Sequence, residues 1–393
     1  MTEALEYLVD ELARHEEQGL LLHPRTLEGR QLARARYDGR EVINLASNNY
    51  LGLAAHPRMN EAASRAAAEY GAGTGAVRTI AGQMTMHREL EQRFAAFKGA
   101  EDALMFQSGF TANSGTVAAV LGKEDVIVSD ELNHASIIDG ARLSRATIKV
   151  YPHRDAAAAD RLLEETAGGG RRQLLITDGV FSMDGDIAPL PDLVEVAERR
   201  RAIMMVDDAH ATGVLGEGGR GTVDHFGLHG RVDIQVGTLS KAIGVLGGFI
   251  AGPSPLIQWL VNRGRPYLFS TSAPPAVVAA CTTALDILGD EPDRLDRLWS
   301  NTRAFKDELH ALGFNTGDSQ TPITPVMAGD EATAQELSKG LWNEGVFAPA
   351  IVYPTVPRGR ARVRTIVTAD HGREDLEQAV HAFGRVGDRL GML

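Results

Sequence analysis

The sequence predicts an α/β protein with a large domain built on a mostly parallel sheet and a smaller α+β domain at its C-terminal end. Three observations predict this: the chain length, an alternation of β-rich and helical runs, and a change of pattern after residue 275. The chain has 393 residues, 44% apolar and 23% charged, which is typical of a globular protein too long for one core. We expect an N-terminal segment (1–50), a large domain (51–275) and a small domain (276–393).

The alternation is the evidence for the parallel sheet. Short runs rich in β-formers are separated by loops and by helical patterns such as Leu190–Arg200, as in βαβ units. Helical spacing also predicts an N-terminal helix over residues 1 to about 22, and two helices between 57 and 100 separated by Gly71–Gly75. The predicted strands are Ala103–Phe106, Val126–Val128, Thr147–Tyr151, Leu174–Thr177, Ile203–Val206, Ile234–Val236 and Gly247–Ala251.

The last third of the chain mixes helices and strands differently. Residues from Pro274 to about 312 are mostly helical in pattern, and further helices are predicted at about 332–344 and 373–389. Strands are predicted near Ile323–Met327, Val346–Ile351 and Val363–Val367. This mixture is typical of an α+β domain.

Charge and cysteine content bear on partners and location. The net charge is −12, from 40 basic and 52 acidic residues, so nothing electrostatic favours nucleic acid as a partner. The single cysteine, Cys281, cannot form an intramolecular disulfide and is expected to be a buried small hydrophobe. The start of the chain lacks the features of a signal peptide, and the most apolar stretch, Ile243–Val261, is interrupted by glycine and proline. We therefore expect a cytoplasmic protein with no membrane span.

Two motifs match known patterns without the context that would make them sites. Gly216–Gly221 matches GxGxxG, but the polar segment after it does not have the strand and helix of a dinucleotide-binding unit, so we interpret it as a glycine-rich loop. His225 and His229 have metal-ligand spacing, yet Gly227 lies between them and no nearby cluster completes a site. We expect no metal.

Two polar groups that follow predicted strands suit an aldehyde cofactor. Lys241, in Thr238–Lys241, follows a strand that ends near Val236 and can form a Schiff base; the alternative is a solvated lysine in a polar turn. Asp207 ends another strand and can pair with a protonated pyridine nitrogen, which keeps the ring electron-deficient. The alternative there is that Asp207 or Asp208 caps a turn.

Two further features would complete such a site. Gln107–Thr111 opens a helical run, where free backbone N–H groups and the helix dipole can bind a phosphate; Ser108 as a simple N-cap is an equally good local interpretation. His134 can stack on a planar ring or be an ordinary loop histidine. All of these features follow strands, where parallel α/β sheets bind ligands. Together they predict pyridoxal phosphate as the cofactor.

Five ordered motifs resemble the α-oxoamine synthases, which are fold-type I pyridoxal-phosphate enzymes of the aspartate aminotransferase superfamily. The motifs are Ser108–Asn113, Asp130–Ser136, Gly179–Asp186, Asp207–His210 and Thr238–Ala242, and the resemblance runs from about Asn44 to Arg364. It implies an aspartate aminotransferase-like fold whose large domain binds the cofactor. It also implies an acyltransferase that acts on an amino acid and an acyl-CoA.

The resemblance assigns a role to each expected site residue. The expected catalytic residues are Lys241, His134, Asp207 and His210. The expected cofactor contacts are Ser108, Gly109, Phe110, His134, Ser182, Asp207, His210, Thr238, Lys241, Thr271 and Ser272. The expected substrate contacts are Asn48, Arg364, Val77 and Arg25.

Within these sets the resemblance implies particular contacts. The amides of Gly109 and Phe110 and the hydroxyl of Thr238 would hold the phosphate. Ser182 and His210 would lie near the phenolic oxygen of the cofactor, and Asn48 and Arg364 would bind the amino-acid carboxylate, a task that suits a guanidinium fork. Thr271 and Ser272 match residues that reach the phosphate of a neighbouring subunit, which implies a homodimer with shared active sites.

The segments that bear on the substrates resemble two different groups of enzymes. Val77-Arg78, at the end of Gly71–Arg78, resembles the glycine C-acetyltransferases (2-amino-3-ketobutyrate coenzyme A ligases). Gly185–Leu190 and Pro354–Pro357 resemble the 8-amino-7-oxononanoate synthases of biotin synthesis equally well. We expect condensation of glycine with acetyl-CoA, or the reverse thiolysis.

Other functions stay open. L-alanine with pimeloyl-CoA or its carrier-protein thioester is the main alternative, and one enzyme could have both activities. A serine palmitoyltransferase ranks below these, and a succinyl-CoA user would typically have threonine at Val77. The same constellation would serve an aminotransferase or a non-catalytic regulator, but the chain has no spare segment for a DNA-binding module.

Overall fold

The computed structural model describes residues 3–17, 20–21 and 23–393. The strands are β1 (Arg34–Tyr37), β2 (Arg40–Asn44), β3 (Asp102–Phe106), β4 (Val126–Asp130), β5 (Thr147–Tyr151), β6 (Gln173–Asp178), β7 (Ile203–Asp207), β8 (Ile234–Thr238), β9 (Gly248–Gly252), β10 (Ile323–Gly329), β11 (Val346–Phe347), β12 (Ala350–Ile351) and β13 (Ala361–Ile366). The helices are α1 (Tyr7–Glu17), α2 (Pro57–Tyr70), α3 (Thr85–Lys98), α4 (Gly109–Val120), α5 (Ala135–Ser144), α6 (Ala156–Glu165), α7 (Leu190–Arg200), α8 (Thr222–His225), α9 (Ser254–Arg263), α10 (Arg265–Leu268), α11 (Pro275–Asp290), α12 (Asp293–Ala311), α13 (Glu331–Asn343) and α14 (Arg373–Leu390). Short 3₁₀ segments occur at Glu3–Leu5, Leu53–Ala55 and Glu217–Gly219, and one π-helical turn at Arg78–Gly82.

A seven-stranded sheet in the order β3-β9-β8-β7-β6-β4-β5 organises the large domain. Its strands run parallel except β9, which is antiparallel to both of its neighbours. Along β4 the side chains alternate between two cores, with Val126 and Val128 on one face and Ile127 on the other. Continuous burial of this kind is expected where helices cover both faces of a parallel sheet. The predicted α/β fold with a mostly parallel sheet is confirmed.

The C-terminal part of the chain forms a smaller antiparallel sheet in the order β10-β13-β12. Its core includes Val326 and Val363 from the sheet and Leu337 and Phe383 from helices α13 and α14. A third sheet, β1-β2-β11, pairs β2 near the N-terminus with β11 from the C-terminal part. The predicted boundary after residue 275 stays a prediction, and α11, which begins there, packs against α2 in the core of the large domain.

Three predicted elements differ from the structure. The N-terminal helix is shorter than residues 1–22, because a 3₁₀ turn precedes α1 and α1 ends at Glu17; residues 1, 2, 18, 19 and 22 lie outside the described residues. The helical run from Pro274 to about 312 is two helices, α11 and α12, separated at Glu291 and Pro292. The single strand expected over Val346–Ile351 is two short strands in different sheets.

None of the helices in the described part of the chain is both long enough and apolar enough to span a bilayer. A search of the same residues finds no group of three or more histidine, cysteine or acidic side chains that could hold a metal ion. His229 instead lies 3.0 Å from the carboxylate of Asp224. Cys281 is fully buried, as predicted.

Candidate active site

A cavity of about 230 Å³ lies at the carboxyl ends of the parallel strands of the large sheet. Successive strand ends bring polar residues to one edge, as parallel sheets generally do. The cavity is lined by Ser108, Gly109, Phe110, His134, Ser136, Asp178, Val180, Ser182, Asp207, Ala209, His210, Thr238, Ser240 and Lys241. Nine of the residues predicted from the sequence are therefore brought together.

The N-terminus of α4 forms one wall of this cavity. Ser108 is its N-cap, with its Oγ accepting from the Thr111 amide at 3.1 Å, while Thr111 Oγ1 accepts from the Ser108 amide at 3.0 Å. The amides of Gly109 and Phe110 belong to the first turn, where a helix offers no internal acceptor. A Cβ at Gly109 would lie 3.1 Å from Thr238 Oγ1, so glycine lets these two expected phosphate contacts approach each other. Ser108 therefore caps the helix and also lines the cavity, and its contact with a phosphate stays a prediction.

Asp207 and Asp208 at the end of β7 face different environments. Asp207 lines the cavity, and its carboxylate accepts from Asn113 Nδ2 at 2.5 Å and from the Ala209 amide at 2.8 Å. Asp208 is fully buried on the other side, 2.7 Å from Lys98 Nζ. This is the alternation expected of adjacent strand residues. The structure thus places Asp207, and not Asp208, at the cavity.

Lys241 reaches the cavity from the loop after β8, and no described side chain lies within hydrogen-bond or ion-pair distance of its amine. Burial lowers the pKa of Lys241, although the nearby Asp207 and Asp178 carboxylates oppose that shift. Burial, and then Asp207, raise the pKa of Asp178 well above its usual value. Asp178 also accepts from the His134 amide at 3.1 Å. An unpaired buried amine of lowered pKa is suited to act as a nucleophile or base.

Two histidines complete the cavity wall. His134 is the N-cap of α5, and its Nδ1 lies 2.7 Å from Ser136 Oγ. His210 Nδ1 lies 2.7 Å from the hydroxyl of Tyr50. Burial lowers the pKa of both imidazoles, most strongly that of His210, where Lys241 and Arg364 add to the effect.

Arg364 and Asn48 meet beside Ser182, as the resemblance implies. Arg364 donates to the Ser182 carbonyl at 2.6 Å through Nε and to Asn48 Oδ1 at 3.2 Å through Nη2. The guanidinium is buried, which lowers its pKa, and no carboxylate of a described residue lies within ion-pair distance. A buried guanidinium held only by neutral acceptors can bind a ligand carboxylate.

Besides Asn48 and Arg364, four predicted residues lie outside the cavity lining. Val77 bridges Thr271 by backbone pairing, and Ser272 Oγ donates to the Gly82 carbonyl at 2.6 Å. Arg25 pairs with Asp38 at 3.1 Å, and its guanidinium lies 3.5 Å from the centroid of the Trp342 ring. Their expected functional roles stay predictions.

Several residues of the site have no role predicted from the sequence. Asn113 and Ser136 stand inside two of the quoted motifs, and Tyr50 lies two residues after Asn48. The signal for them was their position in those motifs. Asp178 ends a predicted strand, which is the same signal that pointed to Asp207.

The residues of the cavity fit pyridoxal phosphate. A helix N-terminus can take the phosphate, the carboxylate of Asp207 can take a pyridinium, and the unpaired Lys241 can take the aldehyde.

A model of the family described as aminotransferase class I and II matches residues 40–383. The 8-amino-7-oxononanoate synthase of Symbiobacterium thermophilum is 59% identical over 99% of this chain and 99% of its own length. That of Bacillus subtilis (8-amino-7-oxononanoate synthase 1) is 54% identical over both complete chains.

A solved structure of SPT (serine palmitoyltransferase) with PLP is 31% identical, covers 99% of each chain and superimposes with a TM-score of 0.93. The chain belongs to the α-oxoamine synthase family. As an α-oxoamine synthase it has the fold-type I architecture, uses pyridoxal phosphate and is an acyltransferase. An amino acid and an acyl-CoA are consistent with this family as its substrates.

The expectation of glycine and acetyl-CoA is wrong. The relatives that are 52–59% identical to this α-oxoamine synthase over nearly their full length are called 8-amino-7-oxononanoate synthases, and nothing supports glycine C-acetyltransferase. The expectation rested on Val77-Arg78. Val77 does not line the cavity, and Arg78 is buried against Glu91 at 3.0 Å, so in this chain the pair is held by structural contacts and was a poor guide to the substrate.

Proposed function

We propose that the chain condenses L-alanine with a pimeloyl thioester, carried on coenzyme A or a carrier protein, to give 8-amino-7-oxononanoate with loss of carbon dioxide. The observation that carries this proposal is the 52–59% identity, over at least 98% of this chain, to proteins that bear this name. The cavity supplies the groups that the chemistry requires. This reaction is the alternative that Gly185–Leu190 and Pro354–Pro357 favoured in the sequence.

In this proposal the cavity residues hold the cofactor at both of its ends. The amides of Gly109 and Phe110 and the hydroxyl of Thr238 bind the phosphate. Asp207, fixed by Asn113 and by a backbone amide, accepts a hydrogen bond from the pyridine nitrogen. Pyridoxal phosphate, when bound, supplies an aldehyde for the substrate amine and a ring that withdraws electrons from the substrate Cα. Ser182, His134 and His210 complete the wall around it.

The substrate groups are handled by residues of the chain itself. Arg364 and Asn48 bind the alanine carboxylate and so orient its Cα–H bond. Lys241 removes that proton, which its lowered pKa favours. The Cα then forms a bond to the acyl carbon of the thioester, the C–S bond breaks and the thiol leaves. The bond from Cα to the carboxylate breaks to release carbon dioxide, and the Cα regains a proton.

A thiol-release assay tests the substrates. Alanine, glycine and serine are each combined with pimeloyl-, acetyl-, succinyl- and palmitoyl-CoA, and the product is identified by mass. We expect the highest kcat/KM for alanine with pimeloyl-CoA. Faster release with any other pair would contradict the proposed substrates. Formation of the pyridoxamine form of the cofactor with an amino acid alone, and no thiol release, would show an aminotransferase instead.

We also propose that the active enzyme is a homodimer with shared active sites. Three large apolar side chains stay exposed near the expected inter-subunit residue Thr271 and the loop after Lys241. The exposed fractions are 84% for Ile80, 70% for Phe269 and 61% for Leu246, and burial of such groups favours association. Sedimentation of the native protein should give twice the chain mass. Phe269→Asp should shift it toward the monomer and reduce activity, and a fully active monomer would contradict this proposal.

A further inference from the structure

Tyr50 and His210 form a buried contact at the edge of the cavity. The Tyr50 hydroxyl lies 2.7 Å from His210 Nδ1, and the two side chains are 1% and 7% exposed. Tyr50 is also held through its backbone, since its amide donates to the Asn48 carbonyl and its carbonyl accepts from the Ala369 amide, each at 2.8 Å. The backbone therefore fixes the Tyr50 side of this contact.

The hydrogen bond has one favourable direction. His210 Nδ1 is the only acceptor within reach of the Tyr50 hydroxyl among the described residues. If Nδ1 carried a proton and donated it to the phenol oxygen, the phenol proton would have no acceptor. Leaving a buried donor unsatisfied costs roughly 1–3 kcal/mol. Tyr50 is therefore the donor and His210 Nδ1 the acceptor.

The charges around His210 agree with this assignment. Burial keeps the pKa of Tyr50 high, so the phenol retains its proton. Burial, together with Lys241 and Arg364, lowers the pKa of His210 well below its usual value, which disfavours an imidazolium that would donate from both nitrogens. A neutral imidazole that accepts at one nitrogen carries its proton on the other.

The second nitrogen is the one available to a ligand. His210 lines the cavity and Tyr50 does not, and no described residue lies within hydrogen-bond distance of Nε2. We propose that Tyr50 is a positioning residue that fixes His210 in the Nε2–H tautomer, so that the cavity presents a permanent N–H donor to an oxygen of the bound cofactor. The inference rests on the cofactor site of the proposed function and is independent of which amino acid and thioester react.

The tautomer can be measured directly in the holoenzyme. Two-bond ¹H–¹⁵N correlation spectra of ¹⁵N-histidine-labelled protein distinguish protonated from unprotonated ring nitrogens, and loss of one set of signals in His210→Asn assigns them. We expect an unprotonated Nδ1 and a protonated Nε2 at neutral pH. A protonated Nδ1 in the native holoenzyme would overturn the proposal, and this measurement needs no variant of Tyr50.

Tyr50→Phe then tests whether Tyr50 fixes the tautomer of His210. The His210 signals should move toward the average of the two tautomers, and the pH midpoint of the bound-cofactor absorbance should rise by about one unit, because a donor to a charged oxygen is lost. Tyr151→Phe is the matched control, since Tyr151 is also a fully buried tyrosine but does not contact His210 or line the cavity, and it should change neither readout. If Tyr50→Phe keeps the native tautomer and midpoint, Tyr50 does not position His210. Both readouts are independent of substrate, so a failure of the proposed substrates would leave them unchanged.

Discussion

Charged side chains of the same kinds have opposite surroundings on the two sides of the large sheet: they are paired on one side and unpaired with other charges on the other. Behind the sheet, Lys98 and Asp208 are fully buried and lie 2.7 Å apart, and Asp208 also accepts from Thr222 Oγ1. At the cavity, Asp207 has only neutral hydrogen-bond donors, and no described residue lies within hydrogen-bond distance of the Lys241 amine. The pair behind the sheet is satisfied by folding, whereas Asp207 and Lys241 have no counter-charge within ion-pair distance among the described residues.

The arginines of β13 repeat this difference. Arg362 pairs with Asp184 at 2.5 Å, whereas Arg364, two residues later, has the Ser182 carbonyl and Asn48 as its partners in the described part of the chain. We call Lys98, Asp208, Arg362 and Asp184 the paired set, and Lys241, Asp207 and Arg364 the cavity set. A buried pair is costly to break, and an unpaired buried charge is retained only where something compensates it. Variants of the paired set should therefore lose stability, and variants of the cavity set should lose function.

Lys241→Ala should have the largest effect on function. Activity should fall by at least ~10²–10⁴-fold, the contribution of a general base, with a further loss from the missing covalent attachment. The free energy of unfolding of the apoenzyme should not fall, because no described partner is left unpaired. Thiol release and denaturant unfolding measure the two effects. Borohydride reduction of the native holoenzyme should fix the cofactor on Lys241, and its recovery on another lysine would contradict the assignment.

Asp208→Asn should show the reverse pattern. It leaves Lys98 buried without its counter-charge, and breaking a buried pair costs about 3–5 kcal/mol. Urea unfolding of the apoenzyme measures this loss. Asp207→Asn is the adjacent control, and it should keep most of the stability but bind the cofactor more weakly. An Asp208→Asn protein of native stability would show that the Lys98–Asp208 pair does not stabilise the fold.

The positions of these groups could be predicted only in part. The placement of Asp207 and Lys241 at one edge of the sheet could be predicted, because strand ends and the alternation of side chains follow from local chain geometry. The sequence distinguished the Gly216–Gly221 loop from a dinucleotide-binding motif, but it did not indicate the structural role of the loop. A Cβ at Gly221 would lie 2.5 Å from Lys98 Nζ, so glycine there lets the loop close over the buried pair.

Contacts between distant parts of the chain were not predictable. Tyr50 meets His210 across 160 residues and Asn113 meets Asp207 across 94, and neither pairing leaves a period or spacing in the sequence. Arg25, whose role at the substrate site stays a prediction, lies against Asp38 and Trp342, and these contacts were not visible in the sequence either. Local patterns predicted the elements, and tertiary packing decided which side chains meet.

Arg364→Lys should have a smaller effect than the two changes above. Lysine keeps the charge but cannot form the bidentate fork, and a lost hydrogen bond to a charged group costs roughly 1.5–3 kcal/mol, or about ten- to a hundredfold in affinity. The apparent Kd for alanine, from the absorbance of the bound cofactor, should rise by that factor at unchanged cofactor content. Arg362→Lys is the control, and its main effect should be on unfolding. An unchanged alanine affinity in Arg364→Lys would show that another residue binds the alanine carboxylate.

A histidine outside the cavity also differs from those that line it, and this gives the smallest expected effect. His153 Nδ1 lies 3.0 Å from Asp130, and its Nε2 lies 2.8 Å from Asp186. Arg154 also lies 3.4 Å from Asp186, and Glu131 accepts from the His153 amide. Burial alone would lower the pKa of His153, but the two carboxylates raise it to about 9. Near neutral pH the ring therefore stays charged, unlike that of His210.

A raised pKa in the folded state means that the contribution of His153 is complete below its unfolded pKa of about 6.5 and is lost as the pH rises through about 9. Because the ring is partly exposed, we expect a contribution of about 1 kcal/mol after solvent screening. Lys306 acts in the opposite direction, since burial lowers its pKa to about 8 and stability gains from it as the pH rises above that value. Urea unfolding of the native protein and of His153→Gln is measured between pH 6 and 10. Because both proteins contain Lys306, the difference between their stabilities isolates the contribution of His153. The stability difference between them should shrink between about pH 6.5 and 9 and level off above that, and a constant difference would show that the imidazolium contributes nothing.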